Sequence, residues 1–336
     1  MLAVSFAVGA ESVAQWVDLD GPVHFVDHGG PRRGEVRTLV CVHGLGGSHA
    51  NWHDLGPLLA SRHRVLAVDL AGHGRTPRAG RSASVPANRE LLNRFLDEVI
   101  GEPVVLVGNS MGAGIAMLQA GAKPGTVAGL VLIGPTLPWV STDLPSRAVA
   151  RQIALCAVPP LGQRILARRR SPLGAERFIA QTMRVTCADP TRVSLGMRRL
   201  AIELLASGAA GPDSEAAFVE AARSVALLVG RAAVYRALIA SLATPALVLQ
   251  GALDRLVPRS GLGQLAVLQP TWPIEVLDGV GHVPQIEIPR RTAEIILGWL
   301  GQLDQGRTFD QGRTFDQGRK FDQGDRGGST AQGAAS

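Results

Sequence analysis

Five uninterrupted apolar runs constrain the architecture of this chain more than any other feature. They lie at 38–42, 65–69, 104–107, 129–133 and 246–250, and most are bounded by Gly, His or Asp. A run without polar alternation is buried on both faces, which suits a strand inside a parallel sheet covered by helices on each side. Helical periodicity fills the intervals at 51–61, 86–100 and 111–122. The chain therefore reads as successive βαβ units forming a mostly parallel, doubly wound α/β sheet. Its 40 glycines and 21 prolines fit the many short connections such a sheet needs and are too many for a helical bundle. Ahead of the first unit, 14–18 and 23–27 alternate around Asp20-Gly21, the pattern of an antiparallel hairpin.

The alternation stops after Gly134-Pro135. From 137 to 240 the pattern is helical, with breaks at Pro159-Pro160, Pro172, Pro190 and Gly211-Pro212. Strand signals then resume at 246–250 and 274–277, and an amphipathic helix covers about 290–303. A helical stretch of that length between two strands of one sheet predicts a cap over the site. The expected organisation is an N-terminal segment (1–11), a core (12–136 and 241–304), a helical cap (137–240) and a tail (305–336). The tail carries RTFDQG twice and RKFDQG once, then Gly, Ser and Ala. Repeats this short with one Phe each cannot bury a core, so disorder is expected there.

Charge and composition exclude several functions. The formal net charge is +6, and residues 137–240 carry 14 arginines against 7 acids. Such a stretch suits solvated helix faces, an anionic substrate or peripheral contact with anionic lipid. Arg168, Arg169, Arg170, Arg198 and Arg199 are its densest clusters. No nucleic-acid partner is expected, because aromatics are only 4% of the chain and no helix-turn-helix, zinc-finger or RNP pattern accompanies the arginines. No apolar run reaches membrane-spanning length. Cys41, Cys156 and Cys187 are odd in number and far apart, against a disulfide framework or a structural zinc site. The first ten residues lack the basic start of a signal peptide. A cytoplasmic location is expected, with peripheral membrane attachment or secretion as alternatives; the oligomeric state is not readable.

The chemistry sits at strand ends. The run 104–107 leads into Gly108-Asn109-Ser110-Met111-Gly112 and then a helical pattern. This is G-x-S-x-G in a strand–turn–helix context, where small flanking residues let a serine occupy a tight, strained turn at a helix N-terminus. Taken alone, Ser110 fits an ordinary N-cap equally well. Its prospective partners favour the nucleophile. Asp254 follows the run at 246–250, and His282 lies in Gly-Val-Gly-His-Val-Pro after the last strand. The order Ser, Asp, His suits a nucleophile, an acid and a base on this architecture. Asp143 is the fallback acid. Acyl transfer also needs two backbone N–H groups aimed at an oxyanion; Met111 supplies one, and Leu45 in His43-Gly-Leu-Gly-Gly-Ser48 the other. His43 reads as a brace for that loop.

Together with HGLGGS and Trp52, the blocks DLAGHGRT (69–76), GNSMG, GALD and GHVPQIEIP give a chain that resembles the α/β-hydrolase family over residues 12–303. The resemblance implies an eight-stranded sheet with an inserted cap. A serine at the nucleophile position sets it apart from family members that use aspartate there, the haloalkane dehalogenases and typical epoxide hydrolases. GNSMG also looks like the C–C hydrolases of aromatic ring-cleavage products, but Val283 stands where those usually have Trp. HGLGGS and GHVP look closer to the esterase, lipase-like and cofactor-free haloperoxidase group. Other motifs are weaker: Gly261-Leu-Gly-Gln-Leu-Ala266 reads as helix, and His49 and His53 lack the Glu and third ligand of a zinc site. No cofactor and no metal is expected. The expected activity is hydrolysis of a small carboxylic ester, apolar or amphiphilic, through an acyl-enzyme. The alternatives are C–C hydrolysis of an acidic dienone and a non-catalytic ligand-binding protein on this scaffold.

Overall fold

A computed structural model describes residues 12–31, 34, 36–138, 172–209, 213–257 and 260–305. Eight strands form one sheet: β1 (Val13–Asp18), β2 (Pro22–Asp27), β3 (Thr38–Val42), β4 (Arg64–Val68), β5 (Val104–Asn109), β6 (Val127–Ile133), β7 (Ala246–Gly251) and β8 (Ile274–Leu277). Their order is β1-β2-β4-β3-β5-β6-β7-β8. The hairpin pairs antiparallel through β1 and β2, with Asp20 and Gly21 both at positive φ in its turn. β2 is antiparallel to β4, and all other pairings are parallel.

Both faces of the central strands are buried, as their unbroken apolar character requires. Leu39, Cys41, Val105, Val107, Val131 and Ile133 point to one face, against Trp52, Leu59 and Trp299. Val40, Val42, Leu106, Leu130 and Leu132 point to the other, against Leu92, Phe95 and Ile115. After β3 the chain turns to β4 on one side, and β5 then returns to pair with β3 on the other. A crevice opens at such a reversal, beyond the carboxyl ends of the two strands. Ser110 follows β5 and the loop holding Leu45 follows β3, so the sheet order itself brings these two segments together.

The helices among the described residues are α1 (Leu55–Ala60), α2 (Val85–Phe95), α3 (Met111–Ala122), α4 (Pro172–Thr186), α5 (Leu195–Ala206), α6 (Ser214–Gly230), α7 (Ala232–Ser241), α8 (Ser260–Leu268), α9 (Pro284–Glu287) and α10 (Pro289–Asp304). The helix expected at 51–61 is split into a 3-10 turn, His49–Trp52, and α1. Pro57 explains this, because proline is tolerated only in a first helical turn and α1 starts just before it. Of the expected breaks, Pro172 begins α4 and Pro190 begins a 3-10 turn. Pro159-Pro160 and Gly211-Pro212 lie outside the described residues, as do Cys156, Asp143, Arg168, Arg169 and Arg170. The last helix of the insertion, α7, packs on α3: Tyr235 donates to the Thr136 carbonyl (3.0 Å) and Leu238 lies against Gly121. Cys41 and Cys187 are buried free thiols.

Asp69, just past β4, holds the sheet end near the Leu45 loop. Its buried carboxylate accepts Nδ1–H from His24 and His49 (2.8 Å each) and backbone N–H from His49 (2.6 Å) and Arg75 (2.9 Å). His43 completes the brace: Nδ1–H donates to the Gly44 carbonyl (2.8 Å) while Nε2 accepts the Leu70 N–H (3.1 Å). With both ring nitrogens engaged, His43 is structural.

Burial alone would raise the Asp69 carboxyl. Hydrogen bonds from His24 and His49, with the charges of His49 and His43, more than reverse this and hold it far below the ordinary carboxylate range. Because the unfolded value is about 3.9, the ionised carboxylate stabilises the fold above that pH, and the contribution is lost as pH falls below it. Asp69→Asn should lower stability in urea unfolding by about 3 kcal/mol at neutral pH. The gap between the two proteins should narrow below pH about 4; a gap independent of pH would contradict this assignment.

Candidate active site

Ser110 sits between β5 and α3 with φ 55° and ψ −114°. For a residue with a side chain this is a strained conformation that surrounding structure must impose. Two backbone bonds impose it from β6 and beyond: Ser110 N–H donates to the Ile133 carbonyl (2.9 Å), and Thr136 N–H to the Ser110 carbonyl (3.4 Å). Two residues on, a Cβ at Gly112 would stand 2.1 Å from the Val42 carbonyl oxygen, so only glycine lets α3 start against the end of β3. Although Ser110 occupies the N-cap place, its hydroxyl makes no capping hydrogen bond. The positive end of α3 lies beside it.

Asp254 and His282 meet as their spacing predicts. His282 Nδ1–H donates to Asp254 Oδ2 at 2.7 Å, with both side chains almost wholly buried. The same oxygen accepts from Gln250 Nε2 (2.7 Å), and Oδ1 accepts the Leu256 and Val257 N–H groups (2.8 and 3.0 Å). Burial pulls the Asp254 carboxyl upward, but the charge and hydrogen bond of His282 and the two amides outweigh it. The carboxyl is therefore held below its ordinary range. With Nδ1–H committed to Asp254, the Nε2 lone pair of neutral His282 is left to accept a proton.

The loop carrying His282 reaches Ser110 by crossing the end of β7. A Cβ at Gly251 would stand 1.9 Å from the Gly281 carbonyl oxygen, so the crossing requires glycine. Asn109, next to Ser110, donates through Nδ2 to the Ile133 carbonyl (3.0 Å) and the His282 carbonyl (3.4 Å). Among the described residues no hydrogen bond joins the Ser110 hydroxyl to His282; the side chain of Asn109 links the serine turn to the histidine loop. Gly44 brings the opposite loop in, its Cβ position 3.2 Å from Ser110 Cβ. Among the described residues, the backbone N–H groups of Leu45 and Met111 are engaged in no hydrogen bond, as an oxyanion site needs.

Sequence reasoning missed Glu287. Its buried carboxylate accepts N–H from Gly281 (2.9 Å), Ala188 (3.1 Å) and Asp189 (2.9 Å), with Arg192 3.5 Å away. His282 N–H donates to the Thr186 carbonyl (2.6 Å). The segment after α4 and the histidine loop are thus fastened to each other. The available signal was a lone acid between Pro284 and Pro289, flanked by Ile286 and Ile288.

One group among the described residues, His24, His49 and Asp69, has ligand atoms close enough to share an ion. Its carboxylate already accepts four N–H groups, so it is a hydrogen-bonded brace.

The alpha/beta hydrolase family model matches residues 39–295. The pimeloyl-[acyl-carrier protein] methyl ester esterase of Aeromonas hydrophila is 28% identical over 276 residues, covering 80% of this chain and 98% of that protein. The 2-hydroxy-6-oxononadienedioate/2-hydroxy-6-oxononatrienedioate hydrolase of Cupriavidus pinatubonensis is 35% identical over 120 residues, 34% of this chain and 42% of that one. A haloalkane dehalogenase loop variant from Bradyrhizobium elkanii superposes with TM-score 0.73 at 18% identity, covering 88% of this chain and 99% of its own. That last likeness is one of fold. With the family model spanning most of the sheet and the segments that carry Ser110, Asp254 and His282, the chain belongs to the alpha/beta hydrolase family.

Proposed function

We propose that this chain is a serine hydrolase that cleaves carboxylic esters through an acyl-enzyme. The observation that carries the reading is the 2.7 Å Asp254–His282 hydrogen bond beside a strained Ser110 whose hydroxyl caps nothing. In the proposed reaction, Ser110 Oγ attacks the acyl carbon while Nε2 of His282 takes its proton. Asp254 keeps the proton on Nδ1 and stabilises the imidazolium that forms. The carbonyl oxygen becomes an oxyanion held by the N–H groups of Leu45 and Met111. Collapse breaks the ester C–O bond, and His282 returns the proton to the departing alkoxide. Water then repeats the sequence on the acyl-enzyme, releasing the acid and restoring Ser110. The esterase relative supports this choice of bond.

C–C hydrolysis of a dienone is the second reading, favoured by the likeness to the oxononadienedioate hydrolase. A panel of p-nitrophenyl esters set against such a dienone separates the two. Turnover of esters with no cleavage of the dienone is the expected result; the reverse overturns the ester reading.

Four substitutions test the assignments. Ser110→Ala should lower kcat by roughly 10⁴-fold or more with an unchanged melting temperature; a loss below about tenfold would mean another nucleophile. Asp254→Asn should cost on the order of 10³–10⁴ in kcat, because an amide cannot hold His282 in the required tautomer. Asp143→Asn should leave kcat unaffected, and the opposite pattern would transfer the role to Asp143. Glu287→Gln should reduce kcat more than it changes KM, about tenfold, since loosening His282 misplaces the base without altering ester binding. A change confined to KM would make Glu287 a binding group.

A further inference from the structure

Surface helices ordinarily mix acids and bases. From residue 221 to 253 this chain has three arginines, Arg223, Arg231 and Arg236, and no carboxylate. The stretch covers the second half of α6, the whole of α7 and the strand β7. The two helices meet at a 78° bend centred on Gly230 and Arg231. At this corner Leu227 and Val234 are 62% and 71% exposed, and Arg223 and Arg231 are exposed as well. Among the described residues none of the three guanidinium groups has an ion-pair or hydrogen-bond partner. The nearest acid on α6, Glu220, is paired with Arg78 (2.8 Å).

The corner also has a defined place. Early α7 lies against early α3, with Tyr235 and Leu228 near Gly114, and Leu238 near Gly121 further along both helices. The helices therefore run in the same direction, and the bend stands at the Ser110 end of the sheet.

We infer that the α6–α7 corner docks on an anionic bilayer surface. Exposed Leu227 and Val234 enter the headgroup boundary while Arg223 and Arg231 meet lipid phosphates, the division of labour of an interfacial helix. No single helix among the described residues is long and apolar enough to cross a membrane. The bent α6–α7 pair is so only when its helices are taken together, and its inner face is packed against α3 through Tyr235, Leu228 and Leu238, so the proposed contact is peripheral. A second copy of the chain fits less well, because a two-fold contact through this patch would set its arginines against their own equivalents. Arg223 and Leu227 also border an open hollow of about 350 Å³ together with Ser84, Val219, Glu220 and Ser224. This inference stands whether or not the chain hydrolyses esters.

Sedimentation of the full chain with phosphatidylcholine vesicles, with and without phosphatidylglycerol, tests it. Binding is expected only with phosphatidylglycerol and should fall as salt shortens the screening length below about 8 Å. The double substitution Arg223→Gln, Arg231→Gln should weaken binding roughly fivefold per arginine. Leu227→Glu with Val234→Glu should weaken it at least about tenfold. Both variants should keep the wild-type melting temperature and turnover of a water-soluble ester. Absence of vesicle binding by the wild type, or equal binding by all three proteins, overturns the inference. So does a dimer in sedimentation velocity that Leu227→Glu, Val234→Glu dissolves, since the patch would then belong to a second copy.

Discussion

The candidate site depends on a close approach of backbone to backbone. The start of α3 is pressed so tightly on the end of β3 that a methyl at Gly112 would stand 2.1 Å from the Val42 carbonyl oxygen. Parallel pairing of β3 with β5 brings the strand ends level, and the absence of a side chain lets the helix begin there. The chain can make that turn only by placing Ser110 at positive φ. The same contact sets the loop of Leu45 across from Ser110. A strained serine, a helix N-terminus and two unengaged amides are thus consequences of one packing requirement. The strain is sustained by the surrounding strands, whose side chains are buried on both faces.

The other half of the site is assembled by electrostatics. Asp254 is withdrawn from water, and four donors surround its two oxygens. A carboxylate so arranged remains ionised despite burial, because the donors and His282 outweigh desolvation. It then fixes the imidazole by a single short hydrogen bond. Glu287 fixes the loop that carries the imidazole by accepting amides from that loop and from the segment after α4. Removal of one partner from such a buried set leaves an uncompensated polar group, so substitution at these positions is expected to be costly. Asp69 plays the corresponding part under the Leu45 loop. Each side of the crevice is therefore anchored by its own buried carboxylate.

Much of this was legible in the sequence because it rests on local rules. The runs at 39–42 and 104–107 are apolar throughout, so both faces had to be covered, and a mostly parallel sheet follows; its count of eight strands came from the family resemblance. The proximity of Asp254 to His282 was legible from their places after successive strands. Glu287 and Asp69 were not read as anchors, because their partners are backbone amides from segments distant in sequence, such as Ala188, or imidazoles from other strands, such as His24. Periodicity carries no trace of such contacts. The split of the helix at 51–61 is marked by Pro57, whose missing N–H outweighs an apolar spacing that suits one continuous helix. The α6–α7 corner was also hidden: the arginines there are spread along the chain and not clustered as at 168–170. Their meaning comes from the bend and from Leu227 and Val234 facing outward.

The central claim is that packing and electrostatics converge on Ser110 as an activated nucleophile. Reaction of the native chain with a fluorophosphonate probe, followed by peptide mass spectrometry, tests this most directly. The account predicts a single adduct on Ser110, formed far more slowly when His282→Gln removes the base and not at all in the unfolded chain. An unlabelled native protein, or an adduct on a different residue, would contradict it.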